Sequence, residues 1–311
     1  MTRILMALVL FSSSQGFSNE NRIQRFLFIG GTDPQTLSRK INAQVDGVQI
    51  VYTWKSLERN KGQYTLDEIE RDLAFLNSRG KRLWIQLQDR FFGPKDRSVP
   101  DYLLSEAVYQ GGLAKQKDNP GENKAVGSGW VSKQWNPKVR DRFQKLISQI
   151  AQKFDGRVYG INLPETSADI DLKAESRNGF SCDQYFAATV ENINFTRSVF
   201  KKSHVVQYIN FWPCEWDNDH HYMSRFFQNA SDKKIGLGGP DILPYRKGQM
   251  KNSYPFFHEY NGKLPIVAFA VQEPTRTYAN PKTGKKFTEE EFLEFARDYL
   301  GADLIFWSTN K

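Results

Sequence analysis

Short apolar segments recur along this chain, and stretches with helical periodicity separate most of them. The segments are rich in β-branched and aromatic residues, which is typical of buried strands. The clearest helix lies between the second and third segments, where Leu66, Ile69, Leu73 and Leu76 recur at helical spacing. Eight strands are predicted in all, beginning near residues 26, 47, 82, 157, 204, 234, 265 and 303. Eight alternating β/α units predict an α/β fold closed into a (β/α)8 TIM barrel.

An open, doubly wound sheet alternates strand and helix in the same way and is the main alternative fold. Such sheets usually carry a glycine-rich phosphate-binding loop. Gly30-Gly31 after the first strand lacks a full dinucleotide fingerprint, and the sequence contains no P-loop. With 39% hydrophobic residues, the chain of 311 residues can bury one large core. We therefore predict one catalytic barrel domain over residues 19–311, with no clear eighth outer helix.

A long segment, 89–137, follows the third predicted strand and is rich in Gly, Lys and Asn. Loops that follow barrel strands lie on the catalytic face, and insertions of this length usually have a function. We expect the segment to cover or extend a binding cleft. Trp130 and Trp135 within it are expected to contact ligand far from the reacting bond, and the alternative is that both rings attach the insertion to the barrel.

The N-terminus has the pattern of an export signal. Thr2 and Arg3 are polar or positive, residues 4–11 are apolar, and residues 12–18 are small or polar apart from Phe17. We predict a signal peptide over residues 1–18 and a secreted or periplasmic protein, with a buried first strand as the alternative. No later segment reaches the roughly 20 apolar residues of a membrane helix, so no membrane insertion is expected.

Export would allow Cys182 and Cys214 to form a disulfide. Both follow predicted strands whose loops are neighbours on one face of a barrel. Two separate buried thiols are an equally good interpretation of the sequence.

The chain has 43 Lys and Arg against 35 Asp and Glu, a formal charge of +8. The basic residues are scattered, and the runs Lys233-Lys234 and Lys285-Lys286 are shorter than a nucleic-acid-binding arm. No nucleic-acid partner is therefore expected. The positive charge is compatible with an acidic glycan.

Two glutamates follow predicted strands on opposite sides of the barrel. Glu165 comes after strand four and Glu273 after strand seven. Two carboxyl groups about 5 to 5.5 Å apart can act as acid/base and nucleophile at an acetal carbon, which is the chemistry of retaining glycoside hydrolysis. Asp169 or Asp171 could replace Glu165 as the acid, or could coat a solvated loop.

The motifs around these glutamates resemble the clan A (β/α)8 retaining glycoside hydrolases. The similar segments are 160–165 (Gly-Ile-Asn-Leu-Pro-Glu), 270–273 (Ala-Val-Gln-Glu), Trp307, and Trp54 with the following Glu58, Gly62 and Tyr64. The resemblance runs from about residue 26 to 309 and identifies no individual family. It implies that Glu165 is the acid/base, that Glu273 is the nucleophile and that Trp307 is the platform under the cleaved sugar.

Other polar and aromatic residues near the strand ends are candidates for binding sugar. Amides and carboxylates can bond hydroxyl groups, and flat rings can stack on the apolar face of a sugar. A core position is the usual alternative for an aromatic ring, and capping a helix is the alternative for Asp241 and Tyr245. The predicted substrate-binding residues are Trp54, Gln88, Asn162, Asn210, Trp212, Trp216, Asp241, Tyr245 and Trp307.

No metal or other cofactor is predicted. Adjacent His220 and His221 lack a third ligand at metal spacing, and Asp217, Asp219 and His220 more simply mark a helix start. The sequence thus predicts a metal-independent glycosidase that cleaves a β-linked oligo- or polysaccharide with retention. One alternative is a glycan-binding barrel without activity, which Pro164 favours because the clan has Asn directly before its acid/base glutamate. Another is a barrel hydrolase or lyase that uses Asp89, Asp169 or Asp241. The oligomeric state stays open.

Overall fold

A computed structural model of the protein describes residues 22–36, 38–91, 93, 97–116 and 129–309. Its centre is a closed barrel of eight parallel strands, each paired with its neighbours in chain order and the last with the first. The strands are β1 (Gln24–Phe28), β2 (Gly47–Thr53), β3 (Arg82–Gln88), β4 (Gly160–Leu163), β5 (His204–Tyr208), β6 (Gly236–Gly239), β7 (Val267–Val271) and β8 (Leu304–Ser308). The predicted (β/α)8 barrel is confirmed.

Helices cover most of the outside of the barrel. They are α1 (Asp67–Asn77), α2 (Pro137–Phe154), α3 (Cys182–Val199), α4 (Tyr222–Lys233), α5 (Lys247–Asn252), α6 (Tyr254–Glu259) and α7 (Glu289–Asp298). The sequence predicts one helix over about residues 249–259, where α5 and α6 lie. Ser253 breaks it with non-helical backbone angles, and Pro255 stands in the first turn of α6, where a missing N–H costs least.

Large rings fill the interior of the barrel because glycines stand opposite them. The rings of Phe26, Trp84 and Phe306 are fully buried and contact one another edge-on. A Cβ atom at Gly47 would lie 2.2 Å from the Phe26 ring, and one at Gly160 would lie 2.6 Å from the Trp84 ring. These two glycines therefore provide the space that the rings occupy.

The insertion after β3 contains regular structure in its described parts. A short helix (Asp101–Ser105) and a 3-10 turn (Ala107–Tyr109) precede a hairpin of Leu113–Gln116 with Gly129–Ser132. Trp135 is only 4% exposed and packs edge-on against Phe180, 4.9 Å between ring centres. The prediction that Trp135 contacts ligand is therefore wrong, because this ring attaches the insertion to the barrel. Ligand contact at Trp130 stays a prediction.

A disulfide joins Cys182 and Cys214, whose Cα atoms are 6.2 Å apart. It connects the first residue of α3 to the loop after β5. None of the helices among the described residues is both long and apolar enough to cross a membrane. The predicted signal peptide lies outside the described residues and stays a prediction.

Loss of this disulfide should destabilise the protein. We expect Cys214→Ser to lower the free energy of unfolding by about 3 kcal/mol, because the bond restricts the unfolded chain across a sequence separation of 32 residues. Urea unfolding of the two proteins measures the difference. Thiol titration of the unfolded, unreduced wild type should find no reactive thiol, and two reactive thiols would contradict the bond.

Candidate active site

Glu165 lies at the carboxyl end of the barrel, in the turn that follows β4, and is half-buried. The Asn210 side chain, two residues beyond β5, donates a hydrogen bond from Nδ2 to Oε2 of Glu165 at 3.3 Å. Because β4 and β5 are neighbours, their ends place this amide next to the carboxylate. The structure thus brings together two residues that the sequence predicts for the site.

Buried side chains hold the backbone of the Glu165 turn. Arg90 donates from Nη1 to the Glu165 carbonyl at 2.8 Å and to the Tyr185 hydroxyl at 3.0 Å. The Tyr185 hydroxyl in turn donates to the Thr166 carbonyl at 2.9 Å. On the preceding side, the Gln207 amide donates to the Pro164 carbonyl. Three successive carbonyls are thereby fixed, which holds the carboxylate in one place.

Thr166 connects this turn to the one that carries Asn210. Its hydroxyl donates to the Phe211 carbonyl at 2.9 Å and accepts from the Asn210 backbone N–H at 3.1 Å. The Thr166 N–H donates to the Tyr208 carbonyl at 3.1 Å. The two turns therefore form one hydrogen-bonded unit, and the bonds of Thr166 set the separation of Glu165 from Asn210.

The charge of Arg90 is balanced by Asp89, with Nε 3.2 Å from Oδ1, and both side chains are buried. Burial alone lowers the pKa of the Arg90 guanidinium, but Tyr185 and Asp89 outweigh it and raise that pKa above its ordinary value. Asp89 also accepts hydrogen bonds from Ser132 and Gln134, which ties the insertion to the site. The sequence shows only a charged pair after a strand, so this positioning role was not predicted.

Glu273 is the first residue of a short helix, Glu273–Arg276, which begins two residues after β7 ends. Its side chain lies outside the part of the structure that is described. The helix is anchored to the turn after β6, because the Thr275 hydroxyl donates to the Asp241 carboxylate. The Gln272 amide adds a bond to the Pro240 carbonyl at 3.1 Å. Asp241 thus fixes the backbone near Glu273, and its contact with substrate stays a prediction.

Four of the predicted substrate-binding residues lie away from the barrel mouth. Trp54 is fully buried, donates from Nε1 to Glu58 at 2.8 Å and packs against Phe143. Asn162 is also fully buried, and its Oδ1 accepts from Gln49 and from Trp84 inside the barrel. Neither reaches the surface that a sugar could contact. These two assignments are corrected to structural roles.

The other two buried candidates are tryptophans. Trp212 is 4% exposed and packs in an aromatic cluster with Phe186 and Phe226. Trp307 is 1% exposed and contacts Phe292 of α7 on the outer side of the barrel, while Phe306 beside it points inward. The predicted platform under the cleaved sugar is therefore not formed by Trp307, because successive residues of a strand point to opposite faces.

Three other candidates are at least partly exposed. Trp216 is 52% exposed, and its ring stacks in parallel on Phe211. Tyr245 is 38% exposed and lines a mainly apolar cavity of about 260 Å³. Gln88 is half-buried at the end of β3, and its Oε1 has no hydrogen-bond partner among the described residues. Contact of these three with substrate stays a prediction.

The alternative acids and the histidine pair have structural explanations. Asp171 accepts from the Ala174 N–H and caps a short helix, Leu172–Ser176, while Asp169 is exposed. His220 and His221 directly precede α4, as expected for a helix start. Across the described ranges, no group of three or more His, Cys, Asp and Glu side chains is placed to hold a metal ion.

Searches with the sequence found no matching family model and no matching curated protein. The fold, however, is similar to that of several solved glycosidases. A β-galactosidase from Bacillus circulans sp. alkalophilus has a TM-score of 0.60 at 11% identity, over 92% of this chain and 50% of its own. A thermostable mutant of the xylanase Xyn10A from Cellvibrio japonicus has a TM-score of 0.53 at 10% identity, over 92% of this chain and 86% of its own.

Endo-glycoceramidase II from Rhodococcus sp. has a TM-score of 0.52 at 12% identity, over 93% of this chain and 73% of its own. This chain spans about half the length of the β-galactosidases that it matches. At such low identity the likeness shows the fold. It confirms the predicted barrel fold and identifies no individual family.

Proposed function

We propose that this protein is an exported glycoside hydrolase that cleaves a β-linked oligo- or polysaccharide with retention of configuration. The observation that carries the proposal is the rigid mounting of Glu165 beside Asn210, in a barrel where Glu273 stands two residues after the end of β7. The solved structures with this fold include a β-galactosidase, a xylanase and an endo-glycoceramidase, which supports a glycosidic substrate.

Each glutamate has one task in the proposed reaction. Glu273 attacks the anomeric carbon while protonated Glu165 gives its proton to the departing oxygen, leaving a glycosyl ester on Glu273. Glu165 then takes a proton from water, and that water breaks the ester and releases the sugar with its original configuration. Asn210 and the fixed turn keep the Glu165 carboxylate oriented through both steps, so little reorganisation is needed between them.

A screen of β-linked glycans, with products identified by mass, tests this function. The anomeric configuration of the first product, read by proton NMR before mutarotation, tests the stereochemistry. We expect a hydrolysed product of β configuration. A first product of α configuration would show inversion, an unsaturated sugar end would show a lyase, and glycan binding without any product would support the non-catalytic barrel.

The acid/base role makes a separate prediction. We expect Glu165→Ala to lower kcat/KM by about 10²- to 10⁴-fold on a natural glycan and by far less on a dinitrophenyl glycoside, whose leaving group needs no proton. On the activated substrate kcat should still fall, because hydrolysis of the glycosyl ester loses its base. Added azide should restore turnover of the activated substrate and give a glycosyl azide. Glu259→Ala, an exposed glutamate on α6, is the matched control. Equal losses on both substrates would contradict the role.

A further inference from the structure

A second concave region opens on the catalytic face beside the barrel mouth. It is a groove of about 950 Å³ between the turn after β2 and the first residues of the insertion. Lys55 and Arg59 line one side, and Arg97 and Asp101 line the other. The ends of β2 and β3 lie side by side, with Thr53 paired to Gln88, and Thr53 lines the groove.

The charge of the groove is positive. Lys55 forms an ion pair with Asp101, 2.5 Å from Nζ to Oδ1. Arg59 and Arg97 are both exposed, and within the described residues neither has a carboxylate at ion-pair distance. Within the described residues, two guanidinium groups of this surface therefore have no carboxylate partner. An arginine fork matches the oxygen pairs of carboxylate and sulfate groups.

The groove also contains a buried hydroxyl group, and a ring contact holds one of its arginines. Ser98 lines the groove and is 5% exposed, and its hydroxyl has no hydrogen-bond partner in the described part of the chain. A buried hydroxyl without a partner is unusual in a protein interior. The Arg97 guanidinium lies 4.8 Å from the centre of the Trp130 ring, which holds it over the insertion hairpin. Its N–H edges can still reach a ligand oxygen.

We propose that this groove binds the anionic group of a glycan, a carboxylate or a sulfate ester, and that the substrate of the protein is an acidic polysaccharide. The inference rests on the proposed function in taking the occupant to be a glycan. Arg59 and Arg97 pair with the anion. The formal charge of +8 strengthens the attraction of the whole protein for such a polymer.

Binding measured without turnover tests the groove separately from catalysis. The Glu273→Gln variant is used so that the probes are not hydrolysed. Its binding to each probe is measured by calorimetry at low and moderate salt. The probes are two matched pairs: hyaluronan oligosaccharides with their carboxyl-reduced form, and κ-carrageenan oligosaccharides with their desulfated form. The affinity for each probe is measured in the Glu273→Gln parent and in the same protein with Arg59→Ala, Arg97→Ala or Arg79→Ala added. Arg79 is an exposed arginine at the other end of the barrel and serves as the control.

We expect one charged oligosaccharide to bind the parent about tenfold more tightly than its uncharged form. The pair that shows this difference identifies the bound group as a carboxylate or as a sulfate ester. Arg59→Ala and Arg97→Ala should each remove most of the difference, and Arg79→Ala should keep it. Equal binding within both pairs, or the same loss in all three variants, would overturn the proposal. Either result is independent of whether the wild type hydrolyses any glycan.

Discussion

Glu273→Gln should abolish hydrolysis, with kcat on the best substrate of the panel reduced by about 10⁴-fold or more. Glutamine has nearly the same shape as glutamate but is a neutral amide, so it cannot form the glycosyl ester. The fold should be unaffected. Glu273 begins a short helix at the barrel mouth, and the bond from Thr275 to Asp241 that anchors this helix stays in place.

Kinetics and thermal melting of the same preparations check this prediction. Glu259→Gln, on the exposed side of α6, makes the same chemical change far from the mouth and should keep native turnover. A 2-deoxy-2-fluoro glycoside of the preferred sugar should label the peptide that contains residue 273 in the wild type and should not label the variant. Near-native kcat with a normal melting curve in Glu273→Gln would eliminate Glu273 as the nucleophile.

Arg90→Met should be among the most destabilising substitutions in the barrel. We expect the free energy of unfolding to fall by about 3 to 5 kcal/mol, because Asp89 would be left buried without its cation. Loss of the guanidinium also removes a donor from the Glu165 carbonyl, so kcat should fall more than KM changes. Chemical denaturation and steady-state kinetics measure the two effects.

Two further variants separate the effect of losing the Arg90 charge from the effect of losing its hydrogen bond to the Glu165 turn. Arg39→Met, an exposed arginine in the turn Ser38–Lys40, should change stability by less than about 0.5 kcal/mol. The double variant Asp89→Asn/Arg90→Met should recover part of the stability, since both charges are then removed, while kcat stays low because the Glu165 turn still lacks its donor. Recovery of kcat along with stability would show that Arg90 does not position Glu165.

The strands of the barrel could be predicted because each is a short run of apolar residues between turn signals. The ends of parallel strands in a barrel converge on one face, so Glu165, Asn210 and Glu273 could be assigned to a common mouth from their sequence positions alone. That reasoning uses only the chain order. It needs no knowledge of which way any side chain points.

The direction of each side chain depends on the register of its strand, and there the prediction fails for several residues. Trp307 and Phe306 are adjacent, and only pairing with β1 and β7 decides that Phe306 enters the barrel while Trp307 faces α7. Asn162 points into the interior for the same reason. Trp212 stands beyond a strand end among polar residues, yet the packing of α3 and α4 buries it.

By itself, the sequence determined the barrel, its long insertion and the two glutamates at the ends of β4 and β7, because hydrophobic periodicity and strand order are local properties of the chain. Only the tertiary structure decided how Glu165 is held. Its carbonyl is bonded by Arg90, 75 residues earlier, and its carboxylate by Asn210, 45 residues later. Contacts between such distant positions follow from the closure of the barrel, and no local pattern records them.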